Sequence, residues 1–317
     1  MQRLKYLLCL LALPIASHAQ DVALLAGQMK VVGQDASSFG ASLDANYRWG
    51  QYGGISAAYV NEGHPDGHHR DGLASQFWLH SALPEHGLSM AVGYGPYYYF
   101  DTSYGNGSGL DYRNDHGWGG ILSLSAKWHL HERAYIEVRA SRIRVHNDHD
   151  SNLLLVGMGY ELRNTPPSTE SHNAAGGKDV LTYMAGQAIV NSFESERSHA
   201  TSLEYRRIIN PNMEVSVAWL ADGILGQHGR RGVSSQVWLI KPLTERTVLE
   251  MGGGGYALHD GLDRNNDTTR THLVPLASVG MRYRISQPWR AQLTWTRVIT
   301  DYHRDSDVLL AGVGYVF

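Results

Sequence analysis

Cysteine, charge and long apolar runs are all scarce in this 317-residue chain. Charged residues make up 18% of it, against about 25% in an ordinary soluble domain. The single cysteine, Cys9, excludes a disulfide framework and any cysteine-based zinc or iron–sulfur site. A net charge of −3 excludes a nucleic-acid partner held by bulk electrostatics, because phosphate binding needs clustered Lys and Arg. Past the N-terminal segment, no apolar run approaches the roughly 18 residues that a membrane-spanning helix needs. Glycine, by contrast, is abundant, with 35 residues. The pairs Gly157/Gly159 and Gly312/Gly314 and the run Gly252–Gly255 precede neither Gly-Lys-Ser/Thr nor a helix. They are therefore not phosphate loops, and no cofactor is expected.

Residues 1–19, MQRLKYLLCLLALPIASHA, have a basic start at Arg3 and Lys5 and an apolar middle from Leu7 to Ile15. Ser17-His18-Ala19 then supplies a small-x-small cleavage site. This is a signal peptide, too short in its apolar part to anchor a membrane protein. Loss of Arg3 and Lys5 with it takes two positive charges away and moves the net charge from −3 to −5.

The rest of the chain alternates. Ala41, Leu43, Ala45, Tyr47 and Trp49 are interleaved with Ser42, Asp44, Asn46 and Arg48; Leu122, Leu124, Ala126, Trp128 and Leu130 with Ser123, Ser125, Lys127 and His129. Period two over eight or nine residues predicts a strand with one apolar and one polar face. Sixteen such segments are expected, near 22–32, 41–49, 54–61, 73–82, 88–99, 120–130, 134–145 and 153–162 in the first half. The second half places them near 179–190, 200–209, 213–221, 232–242, 247–258, 272–285, 289–299 and 308–317.

A water-soluble sandwich would bury the apolar face, whereas a barrel in lipid turns it outward. Strands of about ten residues with aromatic ends suit the second. The connections also alternate in length: Gln51–Gly53, His131–Arg133 and Asn210–Asn212 are tight, while Asn61–Gly72, Asp101–Gly119, Asp222–Arg231 and His259–Thr271 are long and polar. Short periplasmic turns and long outer loops are the asymmetry of an outer-membrane barrel. The chain ends with Leu309, Ala311, Val313, Tyr315 and Phe317 on one strand face. That ending resembles the last strand of Gram-negative outer-membrane β-barrel proteins. The resemblance implies that Tyr315 and Phe317 form the assembly signal read by the outer-membrane assembly machinery. It also implies a place in the outer membrane, among lipid and lipopolysaccharide.

The mature chain reads as a duplication. Gly72-Leu-Ala-Ser-Gln-Phe-Trp-Leu matches Gly232-Val-Ser-Ser-Gln-Val-Trp-Leu, and Asp150-Ser151-x-x-Leu-Leu-x-Gly-x-Gly-Tyr160 matches Asp305-Ser306-x-x-Leu-Leu-x-Gly-x-Gly-Tyr315. Gly93 and Gly95 recur as Gly253 and Gly255. Repeat 1 spans 20–162, a Pro- and Gly-containing linker 163–178, and repeat 2 179–317. The expected fold is all-β, a transmembrane antiparallel β-barrel of sixteen strands in one wall, since only the second repeat keeps a terminal aromatic. Two tandem eight-stranded barrels are the alternative.

On the polar parity lie Asp44, Arg48, Lys127, Glu137 and Arg139, then Glu204, Arg206, Arg282 and Arg284, which are expected to line the lumen. Charges placed there must be paired or hydrated. On the outer side, His64, His68, His69, Arg70 and Asp71 form a histidine-rich rim with His116, His146 and His149. Imidazole with carboxylate is ligand chemistry for zinc, nickel or copper, and cationic side chains there can face lipopolysaccharide phosphates. Finally, His149-Asp150-Ser151-Asn152 resembles the His-x-Ser-Asn motif of lipid A deacylases, which implies Ser151 as nucleophile and His149 as its base. Three functional readings follow. The first is a porin-like pore or a structural and surface-binding barrel. The second is a lipid-modifying hydrolase, and the third a metal- or ligand-binding rim.

Overall fold

A computed structural model describes residues 20–65, 67–81, 87–104, 112–131, 133–146, 149–162, 179–224, 227–261 and 270–317. The N-terminal segment 1–19 with Cys9 and the segment 163–178, expected to be the linker, lie outside the described residues. The first eight strands are β1 (Asp21–Val31), β2 (Ser37–Trp49), β3 (Gly53–Asn61), β4 (His68–His80), β5 (Gly87–Tyr104), β6 (Tyr112–His131), β7 (Ala134–Val145) and β8 (Ser151–Glu161). The second eight are β9 (Asp179–Val190), β10 (Arg197–Asn210), β11 (Met213–Ile224), β12 (Gln227–Pro242), β13 (Thr247–Asp260), β14 (Arg270–Arg284), β15 (Trp289–Val298) and β16 (Ser306–Val316).

Each set of eight closes on itself as an antiparallel barrel. β8 returns to β1 from Asp21↔Glu161 to Val31↔Ser151. β16 returns to β9 from Val180↔Val316 to Val190↔Ser306. The single sixteen-stranded wall is thus overturned in favour of the tandem alternative. The reason is what lies inside. Leu25, Met29, Ile121, Ile143 and Leu155 form an apolar cluster within the first barrel. Leu220, Leu258, Val274, Leu276 and Leu310 do so within the second. Eight strands leave an interior that side chains fill, whereas sixteen would expose these clusters to lumen water.

Polarity is inverted relative to a soluble barrel. Leu24, Phe77, Leu79, Leu124, Leu154 and Met158 point outward and are exposed, as are Tyr183, Leu203, Trp219, Leu293 and Val313. Asp44, Glu137, Arg139, Arg206 and Glu214 point inward and are buried. An apolar exterior around a polar interior is the arrangement of a strand barrel spanning lipid.

The strands run further than the alternation indicates. His68, His69, Arg70 and Asp71, expected in a loop, begin β4, and most of Asp222–Arg231 is the paired end of β11 and β12. These segments are polar on both faces, so period two fades in the sequence while the hydrogen-bond ladder continues. One repeat match also shifts by a residue. Gly93 lies opposite Trp78 and Gly252 opposite Trp238. Gly93 and Gly95 therefore correspond to Gly252 and Gly254, not to Gly253 and Gly255, which a one-residue slip would put on the other face. The glycines have a steric cause: a Cβ at Gly93 or Gly252 would press on the indole beneath it.

Candidate functional site

In the first barrel the polar interior is built around Arg139 of β7. Its guanidinium donates to Asp44 at 2.6 Å and to Glu137 at 2.7 Å. Ser42 donates to Asp44, and Ser125 to Glu137, each at 2.7 Å. Lys127 stands 3.6 Å from Glu137 and 3.7 Å from Asp21, and donates to the Tyr135 hydroxyl at 3.2 Å. That hydroxyl in turn donates to Asp21. Every charge in this layer faces an opposite one, which is the condition for burying it. Arg48, on the same parity, is half-buried nearer the short turns.

The second barrel solves the same problem with other positions. Arg206 of β10 donates to Glu204 at 2.6 Å and to Glu250 at 2.9 and 3.0 Å, and lies 3.9 Å over the Trp238 ring. Arg282 reaches Glu214 at 2.8 Å and Glu250 at 2.7 Å. Arg284, at the strand end, donates to the Glu245 carbonyl at 2.9 Å. Beside these differences, equivalent neutral contacts recur. Trp78 donates to Ser56 at 2.8 Å, as Trp238 does to Ser216 at 2.9 Å. Gln76 and Ser141 flank Ser123 as Gln236 and Thr296 flank Ser278.

At the end away from the short turns each barrel holds a buried arginine latch. Arg70 donates through Nε and Nη2 to the two oxygens of Glu62, at 2.8 and 2.9 Å, and through Nη1 to the His149 carbonyl at 2.8 Å. Tyr97 donates to Glu62 at 2.9 Å, and Ser151 donates to it as well. In the second barrel Arg230 pairs with Asp222 at 2.6 Å, donates to the Arg304 carbonyl at 3.0 Å and contacts Ser306. Glu62 and Asp222 each precede their arginine by eight residues. That repeated spacing was the available signal for Glu62, which reading by residue type alone passes over.

The predicted site residues fall accordingly. Arg70 and Asp71 are buried rather than presented to lipopolysaccharide; Asp71 accepts from Tyr59 at 2.5 Å. Ser151 is fully buried, with its hydroxyl turned to Glu62, so the atom that the deacylase resemblance makes a nucleophile faces a carboxylate. The histidines meet in pairs. His64 stacks on His69 with ring centres 3.9 Å apart, and His68 sits edge-on to His149 at 5.6 Å while bonding Asp101 at 2.9 Å. Among the described residues no group of three or more His, Cys, Asp or Glu is arranged to hold a metal ion. Tyr315 and Phe317 are exposed on the outer face of the second barrel.

Neither a family model nor a curated protein matches this sequence. Among solved structures, the chain is similar to the N-terminal β-barrel domain of OprF from Pseudomonas aeruginosa, with 15% identity over 45% of this chain and 97% of that one, at a TM-score of 0.35. Neisserial surface protein A is similar at 15% identity, 44% and 97% coverage and a TM-score of 0.35. Ail, the attachment invasion locus protein of Yersinia pestis, is similar at 11% identity, 45% and 98% coverage and a TM-score of 0.32.

Proposed function

We propose that this is an exported Gram-negative outer-membrane protein whose duplicated, side-chain-filled barrels serve as a structural and surface-binding unit rather than as a porin-like pore. The observation that carries this reading is the interior. Arg139 with Asp44 and Glu137, and Arg206 with Glu204 and Glu250, lie across the two lumens at bonding distance and are buried. An ion path through either barrel would need those pairs broken, at a cost of several kcal/mol for each uncompensated charge. In the cell, the cleaved signal peptide leads the chain to the periplasm, and Tyr315 and Phe317 engage the assembly machinery. The exposed apolar belt then faces lipid. Surface binding falls to the accessible rim of the first barrel, where exposed His64, His146 and Arg144 offer donors and positive charge to anionic groups such as lipopolysaccharide phosphates.

Planar-bilayer recording tests the reading. The refolded mature protein should insert without steady conductance, as expected of eight-stranded barrels whose interior is packed. Regular, ohmic conductance steps from protein of verified fold would overturn it and restore the pore.

A further inference from the structure

At the periplasmic end of the first barrel, three strands bring together a set of side chains that the interior pairing does not use. Ser89, near the start of β5, has its hydroxyl 3.3 Å from Nε2 of His129, near the end of β6. The other ring nitrogen, Nδ1, lies 3.9 Å from the carboxylate of Glu161, the last residue of β8. Serine, imidazole and carboxylate are thus in series, with the serine on one ring nitrogen and the acid on the other. Such a relay is recognised by its geometry and roles, whatever the chain order and fold.

We propose that Ser89, His129 and Glu161 form a nucleophilic site at the periplasmic mouth of the first barrel, acting on carboxylic esters of a small acyl group. The Glu161 carboxylate, 3.9 Å away, attracts a proton on Nδ1 by its charge, and with the proton there Nε2 accepts from Ser89. The serine oxygen attacks the ester carbonyl while its proton passes to Nε2. The C–O bond to the alcohol then breaks, and the alcohol leaves with that proton. Water repeats the sequence on the acyl-serine, releasing the acid and restoring the hydroxyl. No other reactant is required.

Burial sets the direction of approach and the size of the substrate. Glu161 is 46% exposed, His129 9% and Ser89 2%. The relay therefore runs from open water inward, and the near-complete burial of the serine restricts the acyl group to a small one.

The second barrel answers the simplest objection, that these residues merely close the barrel end. Matching the strand pairing of the two barrels puts Val248 at the place of Ser89, Arg284 at that of His129 and Val316 at that of Glu161. The second barrel closes at this end without any member of the set, so barrel geometry does not demand them. None of the three was singled out from the sequence as a reactive group. They come from separate strands, with no fixed spacing to mark them.

The experiment uses the refolded mature protein in detergent, with heat-dependent gel migration as the check of fold. It is treated with a small fluorophosphonate and, separately, with p-nitrophenyl acetate. The label should fall on Ser89, identified by peptide mass, and Ser89→Ala should lose both the label and ester turnover while keeping the gel shift. Ser151→Ala should react like the wild type, and His129→Gln should slow both reactions about 100-fold, the lower range for loss of a general base. Glu161→Gln, at a positioning residue, should lower kcat with KM unchanged and move the pH profile, which a merely structural role would not do. Folded wild-type protein that stays unlabelled, or a label that persists in Ser89→Ala or sits on Ser151, would overturn the proposal. Should His129→Gln not fold, Ser89→Ala alone still decides between these results.

Discussion

Arg70 and Arg230 make the same bargain with burial: a guanidinium is acceptable inside a barrel because a carboxylate eight residues earlier meets it. The carboxylate is equally dependent on the arginine. Arg70→Ala would leave Glu62 inside with Tyr97 and Ser151 as its side-chain donors among the described residues. It should lower stability by about 3–5 kcal/mol, the usual cost of removing one partner of a buried ion pair. The double change Glu62→Gln, Arg70→Met removes both charges and should recover most of that loss. Urea unfolding followed by tryptophan fluorescence gives both numbers. A single and a double variant of equal stability would show that the pair is not coupled. By contrast, Arg144, well exposed at 3.8 Å from Asp150, should be replaceable with little effect.

Strands of this kind are specified by which face each residue takes, and glycine marks where a neighbour lies over the backbone. Gly159 of β8 sits beneath the Tyr135 ring, whose hydroxyl is tied to Asp21 and Lys127. Gly159→Val should therefore force that ring off its partners and cost about 1–3 kcal/mol, the range for overpacking a filled core. Met158→Val on the lipid face should not, and the midpoints of urea transitions compare the two. Elements of this sort were legible where one face is apolar: the alternation of 41–49 or 122–130 places β2 and β6 and identifies their inward charges. Legibility ended where both faces turn polar, so His68–Asp71 and much of Asp222–Arg231 looked like loop though they are paired. Contacts between strands far apart in sequence, such as Glu62 with Ser151 or Ser89 with His129, depend on barrel closure and register. Alternation within a single strand carries no information about either.

At the scale of the whole molecule, the decisive fact is that β1 pairs with β8 and β9 with β16. No backbone edge of either barrel waits for a strand from the other, and each has its own apolar cluster and its own charged layer. Each half should then fold alone. Residues 20–162 and residues 179–317, refolded separately in detergent, should each show the strand circular-dichroism signal and heat-dependent gel migration of a closed barrel. If either half gains these only when mixed with the other, closure within each repeat is wrong. In cells the two should differ if the terminal aromatic is the assembly signal proposed above, because such recognition is a separate matter from folding. The first half ends Tyr160-Glu161-Leu162 and the second Tyr315-Val316-Phe317. Behind the same signal peptide, the second half should reach the outer membrane and the first should accumulate in the periplasm. Replacing Glu161 and Leu162 by Val and Phe should rescue the first half, as followed by membrane fractionation. Rescue would locate the difference in those two residues. Efficient insertion of the unmodified first half would instead mean that the terminal aromatic is not what the machinery reads, and that the loss of charge at the last strand position serves packing alone.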